Sequence, residues 1–383
     1  MLYTVKNRRI IMNILLLSCS TGGGHNAAAR AVCEQFEKKG HTVHMMDPFS
    51  LKSDRLAGKV GKTYIRIASH SPRFFGTLYK LGGKISSSRH KSPVYFANAL
   101  MVRRFRQFLS ENSFDAIVMP HLFPAEIMTA LKRRHVPLPP TFVISTDYTC
   151  IPFFEETECD YYFVPHEFLV QEDIDRGIPS DKLYPLGIPV SSAFTKKISQ
   201  DKARERLHLP ADKPVYLVMS GSMGFGKMHL FVYELSRRLT DGEQLIIICG
   251  NNTKSRRILN YTYRKNKNIH VTGFTDHVSE YMDASDVIFT KPGGLTSTEA
   301  LVKNIPIVFT APIPGCETRN REFFVSNGLA LASDHVYTQI SQGMTLAGNR
   351  DLRDAMIKTQ RHFAKPSAAA DIVDFVEKKV NEL

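Results

Sequence analysis

The stretch DVIFTKPGGLTSTEA at residues 286–300 decides the fold class of this chain. An apolar, β-branched run leads into two glycines, and a helix-forming sequence follows at once. This order is typical of a parallel sheet with crossover helices. Gly293 and Gly294 leave room for a phosphate at the helix N-terminus, where Thr296 can donate a hydroxyl. Glu299 can accept hydrogen bonds from two vicinal ribose hydroxyls, although an exposed helix acid is the alternative interpretation.

The same alternation of short apolar runs and helical stretches extends along the whole chain. It predicts an α/β protein with two doubly wound domains. A polar stretch rich in Lys and Arg at residues 191–213 separates them, so the predicted domains are residues 1–195 and 196–365, followed by a terminal helix at 366–383. The predicted strands are 13–18, 42–46, 115–119, 141–145 and 161–164 in the first half, and 215–219, 244–249, 269–271, 286–290 and 306–309 in the second.

The composition excludes several classes of protein. Of 383 residues, 43% are hydrophobic and 23% are charged, which is ordinary for a globular protein. No run approaches the roughly 18 apolar residues of a membrane span. Six scattered cysteines without zinc-site spacing fit a reducing cytoplasm. The basic residues before the apolar run at 10–17 imitate a signal peptide, but that run leads into a glycine loop and is interpreted as a first buried strand, with Met12 as an alternative start.

The positive charge is concentrated in one segment. The net charge is +13, and residues 51–110 contain thirteen Lys and Arg residues with Asp54 as the only acid. Aromatic and apolar side chains alternate with these cations, which suits an anionic membrane surface. Single-stranded nucleic acid uses the same ingredients. A solvated helical region with core aromatics is the third interpretation.

Two further glycine loops follow predicted strands. The first, STGGGH at residues 20–25, places His25 at the start of a helix, either as a general base or as a helix cap. The second begins at Gly221 and fits the GxxxxGK pattern, but Met228 replaces the hydroxyl that would hold magnesium. We therefore expect an amide-rich loop for a diphosphate, with a tight turn lacking any ligand as the alternative.

A fourth loop, PIPGCETRN at residues 312–320, follows the last predicted strand. Glu317 and Asn320 are candidates to bind sugar hydroxyls at the same cleft. The chain contains one DxD match, Asp173 to Asp175, in a helical stretch where a solvated face is the preferred interpretation. We therefore expect no metal site.

Several of these motifs, taken in order, resemble the diacylglycerol glycosyltransferases of the monogalactosyldiacylglycerol synthase and processive diacylglycerol glucosyltransferase type, in glycosyltransferase family 28. The resemblance spans nearly the whole chain. It rests on the Gly-Gly-Gly-His25 loop, Ser145-Thr-Asp147, Gly187-Ile-Pro189, Cys249-Gly-Asn251, Gly273-Phe274, Lys291-Pro-Gly-Gly294, Gly315 and Asn320.

The resemblance implies a GT-B fold, in which two Rossmann-like domains face a cleft and the terminal helix crosses back to the first domain. The C-terminal domain would bind a UDP-sugar and the N-terminal domain a diacylglycerol acceptor. Residues 51–110 would bind anionic lipids at the cytoplasmic face of the membrane, as a peripheral attachment. By position, His25 matches the base, and the nucleotide-sugar residues are Ser220, Gly221, Ser222, Gly293, Gly294, Thr296, Glu299, Glu317 and Asn320.

One departure affects the sugar site, because relatives usually carry Gln where this chain has Cys316. This departure removes one expected sugar contact and so does not help to choose the sugar. The resemblance implies glucose, with galactose as the alternative. Inverting transfer requires a base and positive electrostatics on the departing diphosphate, and helix N-termini supply the latter without a metal or other cofactor. Asp147 can orient His25 or be the base itself, and His121 and His166 are weaker candidates.

Two other functions compete with this interpretation. The related transferase of peptidoglycan synthesis, which adds N-acetylglucosamine to a polyprenyl-linked precursor, shares the donor-domain pattern. A nucleic-acid-binding protein would explain the charge, but it leaves Glu299 and the helix-entry glycines without a purpose. We expect no nucleic acid partner.

Overall fold

The computed structural model describes residues 11–19, 22–53, 90–219, 221 and 228–382, together with positions 55, 58, 76, 77, 81, 82, 85 and 87. Within this part of the chain, strands and helices alternate in two parallel sheets. The predicted α/β fold with two doubly wound units is confirmed.

The first sheet lies between residues 13 and 184 and, among the described residues, has the strand order β2-β1-β3-β4-β5-β6. Its central strands are buried on both faces because helices cover both sides. The strands are β1 (Asn13–Leu17), β2 (Thr42–Met46), β3 (Ala116–Met119), β4 (Thr141–Ile144), β5 (Tyr161–Phe163) and β6 (Leu183–Tyr184).

The second sheet lies between residues 215 and 332, with the described order β12-β11-β10-β7-β8-β9. This is the strand order of a dinucleotide-binding domain, and it reverses direction between β7 and β10. The strands are β7 (Val215–Met219), β8 (Gln244–Ile248), β9 (Ile269–Thr272), β10 (Val287–Thr290), β11 (Ile307–Phe309) and β12 (Leu331–Ala332).

Helices connect the strands and cover the sheets. In the first half they are α1 (Gly23–Lys38), α2 (Pro93–Ala99), α3 (Val102–Glu111), α4 (Leu122–Lys132) and α5 (Val170–Asp175). In the second half they are α6 (Ser192–Thr195), α7 (Gln200–Arg206), α8 (Met228–Ser236), α9 (Thr253–Tyr263), α10 (Val278–Ala284), α11 (Gly294–Lys303), α12 (Cys316–Ser326), α13 (Val336–Gly348), α14 (Arg350–Phe363) and α15 (Ala368–Asn381). Short 3₁₀ turns occur at Pro48–Leu51, Phe154–Glu156, Glu167–Leu169 and Ser180–Lys182.

The last helix of the chain, α15, packs on the first sheet. Its buried Ile372, Val373 and Val376 join the core formed by β1 and α1. Glu377 accepts a hydrogen bond from the imidazole of His41 over 2.6 Å and pairs with Lys39. Apolar burial and these charged contacts therefore tie the C-terminal end of the chain to its first unit.

One side chain of the first unit is buried in the core of the second. Tyr148, in the loop after β4, is 5% exposed and packs in the apolar cluster that contains Ile288 and Phe309. Its ring stacks on Phe323 at 5.0 Å and meets Phe324 edge-on at 4.8 Å. This inserted ring fixes the position of the loop after β4 against the second unit.

Candidate active site

The site lies where the carboxyl ends of the two sheets face each other. In open α/β sheets, ligands bind outside the carboxyl ends of the strands, at the point where the strand order reverses. In the first sheet that point lies between β1 and β3, and in the second between β7 and β10. The loops after β1, β3, β7 and β10 are therefore expected to line the ligand-binding cleft.

His25 is in the first turn of α1, directly above the reversal point of the first sheet. Its Nδ1 lies 2.9 Å from the carbonyl oxygen of Pro120 and 2.9 Å from Oγ1 of Thr146. A carbonyl oxygen only accepts, so Nδ1 carries the proton and donates it there. Nε2 then holds the lone pair. Burial lowers the pKa of His25, against the opposing charge of Asp147, and the neutral ring is therefore a competent proton acceptor near neutral pH.

His121 lies beside His25 but carries its proton on Nε2 rather than on Nδ1. The two ring centroids are 4.5 Å apart. Nδ1 of His121 accepts a hydrogen bond from the amide of Phe123 over 3.1 Å and thereby caps α4. The neutral ring carries its proton on Nε2, and burial together with His25 lowers its pKa well below the usual range. His121 is therefore arranged as a donor rather than a base.

Asp147 is bound by a residue of the other unit. Its Oδ1 accepts a hydrogen bond from Nδ2 of Asn320 over 2.8 Å. The same Nδ2 donates to the carbonyl oxygen of Pro292, and Oδ1 of Asn320 accepts from the amide of Tyr148 over 2.7 Å. Asn320 is fully buried, and both its donor and acceptor groups are occupied by protein. In this closed arrangement it joins the loop after β4 to the loop after β10.

The loop after β10 brings a lysine to the predicted diphosphate loop after β7. Gly221 has φ of +72°, and a β-carbon there would lie 2.8 Å from Cε of Lys291. The ammonium group of Lys291 pairs with Glu317, whose other oxygen accepts from the amide of Ile313 over 2.8 Å. Lys291 therefore lies between the loop after β7 and the N-terminus of α11. Ser220 and Ser222, also predicted here, lie outside the described residues.

The first two turns of α11 carry the predicted nucleotide residues. Gly293 is the N-cap and Gly294 the first residue of the helix, while Thr296 and Glu299 are partly exposed. Burial raises the pKa of Glu299 to about 8, and no cation in the described residues pairs with it. Thr298 donates to the carbonyl oxygen of Gly294 over 2.7 Å and lies 2.9 Å from the hydroxyl of Tyr148. Thr298 therefore belongs to the contact between the units.

At Gly294 the backbones of the two units lie close together. A β-carbon there would lie 1.9 Å from the carbonyl oxygen of Thr146. On the opposite side, a β-carbon on Gly24 would lie 3.6 Å from Cβ of Leu295. The N-termini of α1 and α11 therefore face each other across the cleft, so the structure brings His25 and Asp147 close to Gly294 and Asn320.

Other candidate residues have different surroundings. His166 lies away from this cluster, and its ring stacks on Phe363 at 4.8 Å. Asp173 is buried at 3% exposure, and burial raises its pKa to about 6. The expected solvated face for the DxD match is therefore wrong at Asp173, because α5 turns that carboxyl inward toward Cys150. Asp175 is exposed.

Three features of the site were not predicted from the sequence. Lys291 was noticed only as part of a motif, and Tyr148 and the Pro120 carbonyl were not singled out. The sequence could have identified Lys291. It stands in one of two glycine loops that follow strands at the same reversal point, so the fold brings it close to the other loop. The carbonyl that sets the tautomer of His25 has no such signal.

The described residues show neither a cluster of metal ligands nor a helix suited to span a membrane. No group of three or more His, Cys, Asp or Glu side chains there is arranged to hold a metal ion. Of the helices described, none combines the length and the apolar character needed to cross a bilayer. Of the 60 residues of the basic segment 51–110, 28 lie outside the described residues. Its described cations include Arg103, Arg104 and Arg106, which are exposed on α3.

Solved structures with the same architecture include glycosyltransferases of the GT-B type. The glycosyltransferase of kitacinnamycin superposes with a TM-score of 0.66 at 14% identity, over 97% of this chain and all of that one. CalG4, the calicheamicin glycosyltransferase, gives 0.66 at 13% identity, over 97% and 99% of the chains. MurG of Acinetobacter baumannii gives 0.61 at 16% identity, over 96% and 99%. These likenesses establish the fold.

Sequence relatives establish the family. Residues 25–190 match the profile described as monogalactosyldiacylglycerol (MGDG) synthase, and residues 215–342 match the glycosyltransferase family 28 C-terminal domain. The processive diacylglycerol β-glucosyltransferase of Staphylococcus saprophyticus is 30% identical over 322 residues, covering 82% of this chain and 79% of the relative. That of Bacillus licheniformis is 26% identical over 370 residues, covering 95% and 94%. The chain belongs to the diacylglycerol glycosyltransferases of glycosyltransferase family 28.

Proposed function

We propose that this protein transfers glucose from UDP-glucose to the free hydroxyl of a 1,2-diacylglycerol, with inversion at the anomeric carbon and without a metal ion. The observation that carries the proposal is the arrangement of His25. Its Nδ1 donates to the Pro120 carbonyl and leaves Nε2 as an acceptor, on a helix whose N-terminus faces that of α11. The β-glucosyltransferase names of the relatives support glucose.

The reaction requires one proton transfer and one exchange of bonds at the sugar. Nε2 of His25 takes the proton of the acceptor hydroxyl while that oxygen forms a bond to the anomeric carbon. The bond from that carbon to the diphosphate breaks, and the electron pair leaves with UDP. Asp147 stabilises the positive charge that forms on His25, since its carboxylate already acts on that imidazole.

The departing diphosphate is negative and needs positive partners. The amides at the N-terminus of α11 and the ammonium group of Lys291 supply them, together with the loop that contains Ser220, Gly221 and Ser222. Glu299 binds the ribose hydroxyls. This set explains how transfer proceeds without a bound cation.

Glu317 and Asn320 remain the candidates for the sugar. Both are occupied by protein groups in this closed arrangement, Glu317 by Lys291 and Asn320 by Asp147. A direct contact with the glucose hydroxyls therefore requires these partners to be exchanged. Cys316 lies close to both carboxylates. Burial raises the pKa of its thiol, and the charges of Asp147 and Glu317 raise it further.

The acceptor lies in a bilayer, so the enzyme must bind a membrane surface. We propose that residues 51–110 bind anionic lipids at the cytoplasmic face. Exposed Phe96 and Leu100 lie at the end of α2, directly before the exposed arginines of α3. Apolar side chains beside cations are suited to the interface of an anionic bilayer.

The test is transfer in vesicles containing diacylglycerol, with labelled UDP-glucose and UDP-galactose in parallel and no added metal. A labelled glycolipid from UDP-glucose is the expected product. Transfer from UDP-N-acetylglucosamine to a polyprenyl-linked acceptor, with none to diacylglycerol, would assign the enzyme to peptidoglycan synthesis instead.

The role of His25 has its own test. We expect His25→Ala to lower kcat by about 10²- to 10⁴-fold, the range for loss of a general base. Its affinity for UDP should not change, because the nucleotide lies on the other unit. His277→Ala is the control, since that side chain is 74% exposed. Near-normal turnover by the His25 variant would remove this residue from the mechanism.

A further inference from the structure

Helix α9 presents an exposed face of cations and apolar side chains on the second unit. Lys254, Arg257, Ile258 and Tyr261 follow the i, i+3, i+4, i+7 spacing of one helix face, and Arg264 continues it directly after the last residue of the helix. Ile258 is 42% exposed and Tyr261 is 71% exposed, whereas Leu259 anchors the opposite side in the core. The helix therefore leaves this amphipathic face unpartnered within the described chain.

The charge around this helix has one sign. Residues 244–275 contain six Lys and Arg residues and no Asp or Glu. All six are exposed, and none pairs with a carboxylate of the described residues. An uncompensated positive field of this kind attracts an anionic partner.

The shape of the face also fits a membrane surface. The open face consists of side chains of this one helix, namely Thr253, Lys254, Arg257, Ile258, Tyr261 and Thr262. Arg264 lies over the ring of Tyr261, 4.3 Å from its centroid. A tyrosine with its polar tip beside cations is the arrangement found at the boundary between headgroups and acyl chains. The hydroxyls of Thr253 and Thr262 beside the cations suit a phosphate headgroup.

We propose that the exposed face of α9 binds the surface of an anionic phospholipid bilayer. This contact lies on the unit that carries the nucleotide loops, and it is separate from the membrane contact proposed for residues 51–110. It goes beyond the proposed function, because binding to vesicles does not depend on which sugar or acceptor the enzyme uses. The expected occupant is a phosphatidylglycerol-rich surface, recognised by charge and shallow apolar insertion.

The first experiment measures binding of the full chain to phosphatidylglycerol vesicles by co-sedimentation at low salt. The variant carries Lys254→Gln, Arg257→Gln and Arg264→Gln together. Each cation near an anionic membrane contributes about fivefold, so we expect binding roughly 100-fold weaker. The control carries Arg350→Gln, Lys358→Gln and Arg361→Gln on α14, which removes the same charge from exposed positions of the same unit. That control should bind within about threefold of the wild type.

The second experiment places a single fluorophore in the face. The chain has no tryptophan, so Tyr261→Trp reports from this position alone. We expect its emission to shift to the blue on phosphatidylglycerol vesicles and to be quenched by brominated lipid. Tyr337→Trp, at a side chain 70% exposed on α13, should show neither change.

Three results would overturn the proposal. The first is an equal loss of vesicle binding in the two triple variants. The second is an unchanged emission of the Tyr261→Trp protein while it is bound to vesicles. The third is binding of this face to single-stranded nucleic acid that is tighter, at physiological salt, than its binding to phosphatidylglycerol vesicles. UDP affinity and glycolipid synthesis are measured on the same proteins. A protein whose α9 binds vesicles but which transfers no glucose would refute the proposed function and leave this inference standing.

Discussion

Gly294→Ala tests whether the two units must meet at the N-terminus of α11. The added β-carbon would lie 1.9 Å from the carbonyl oxygen of Thr146 and 3.0 Å from its carbonyl carbon. Ordinary contacts begin near 3.4 Å, so the two backbones must separate by about 1.5 Å. Both atoms belong to the main chain, and no side-chain rotation relieves the overlap. The substitution therefore acts on the closed cleft itself.

The energy that holds the cleft closed can be compared with this overlap. Three hydrogen bonds cross it here, from Asn320 to Asp147, from Tyr148 to Asn320 and between Tyr148 and Thr298. Together they contribute about 3 kcal/mol, at roughly 1 kcal/mol each. Overpacking a tight contact costs about 1–3 kcal/mol. The overlap therefore costs about as much as these hydrogen bonds contribute, so the variant should close less often, although the buried ring of Tyr148 still favours the contact.

The folding of the second unit should not suffer. Alanine is about 1 kcal/mol better than glycine inside a helix, and the overlap lies across the cleft rather than within α11. We therefore expect an unchanged melting temperature, together with kcat/KM lowered roughly 30- to 150-fold, which corresponds to about 2–3 kcal/mol. The radius of gyration measured by small-angle X-ray scattering should rise.

Gly24→Ala is the matched control for this experiment. It changes a glycine in the helix on the other side of the cleft, and its β-carbon meets Leu295 at an ordinary 3.6 Å. Its kcat/KM should stay within about threefold of the wild type. Wild-type kcat/KM and unchanged scattering for Gly294→Ala would refute the argument, and so would an equal loss in Gly24→Ala.

Three further predictions concern individual charges. The affinity for UDP should fall by up to tenfold per pH unit below about pH 8, because the ribose hydroxyls bind the ionised form of Glu299. Calorimetric titration of the Glu299→Gln variant with UDP should show no such pH dependence. Lys291→Met should weaken UDP about 10- to 100-fold and leave uridine unchanged, which titration with both ligands measures. Burial raises the pKa of Glu126 to about 9, so its carboxyl ionises more readily in the unfolded chain and stability falls as the pH rises from 4.5 to 9. Denaturant unfolding of Glu126→Gln should lack this loss, which reaches about 1.4 kcal/mol per pH unit.

The fold could be predicted because buried parallel strands are continuous apolar runs. All ten predicted strands exist, with ends that differ by one residue at most. The two strands that were missed, β6 (Leu183–Tyr184) and β12 (Leu331–Ala332), have two residues each and lie at sheet edges. A pattern of period two needs about four residues before it differs from chance. Such short edge strands form because a neighbouring strand offers hydrogen bonds, which the local sequence does not record.

The site could be predicted only as far as local motifs reach. Glycine loops after strands identified His25, Gly221 and Gly294 without any knowledge of distant contacts. The hydrogen bond between Asn320 and Asp147 joins residues 173 positions apart, and no spacing along the chain predicts it. The buried position of Asp173 was missed for the same reason, because the helix face that meets Cys150 is decided by packing.

The hydrogen bonds that orient His25 depend on the contact between the two units. The tautomer of His25 is set by Pro120 and Thr146, both in the first unit. The loop that carries Thr146 is in turn fixed from the second unit, where Gly294 abuts its backbone and Asn320 binds the next two residues. Opening of the cleft would therefore release the loop that positions His25, the proposed base. Because water is a competing acceptor, this dependence favours transfer only once the cleft has closed and excluded it.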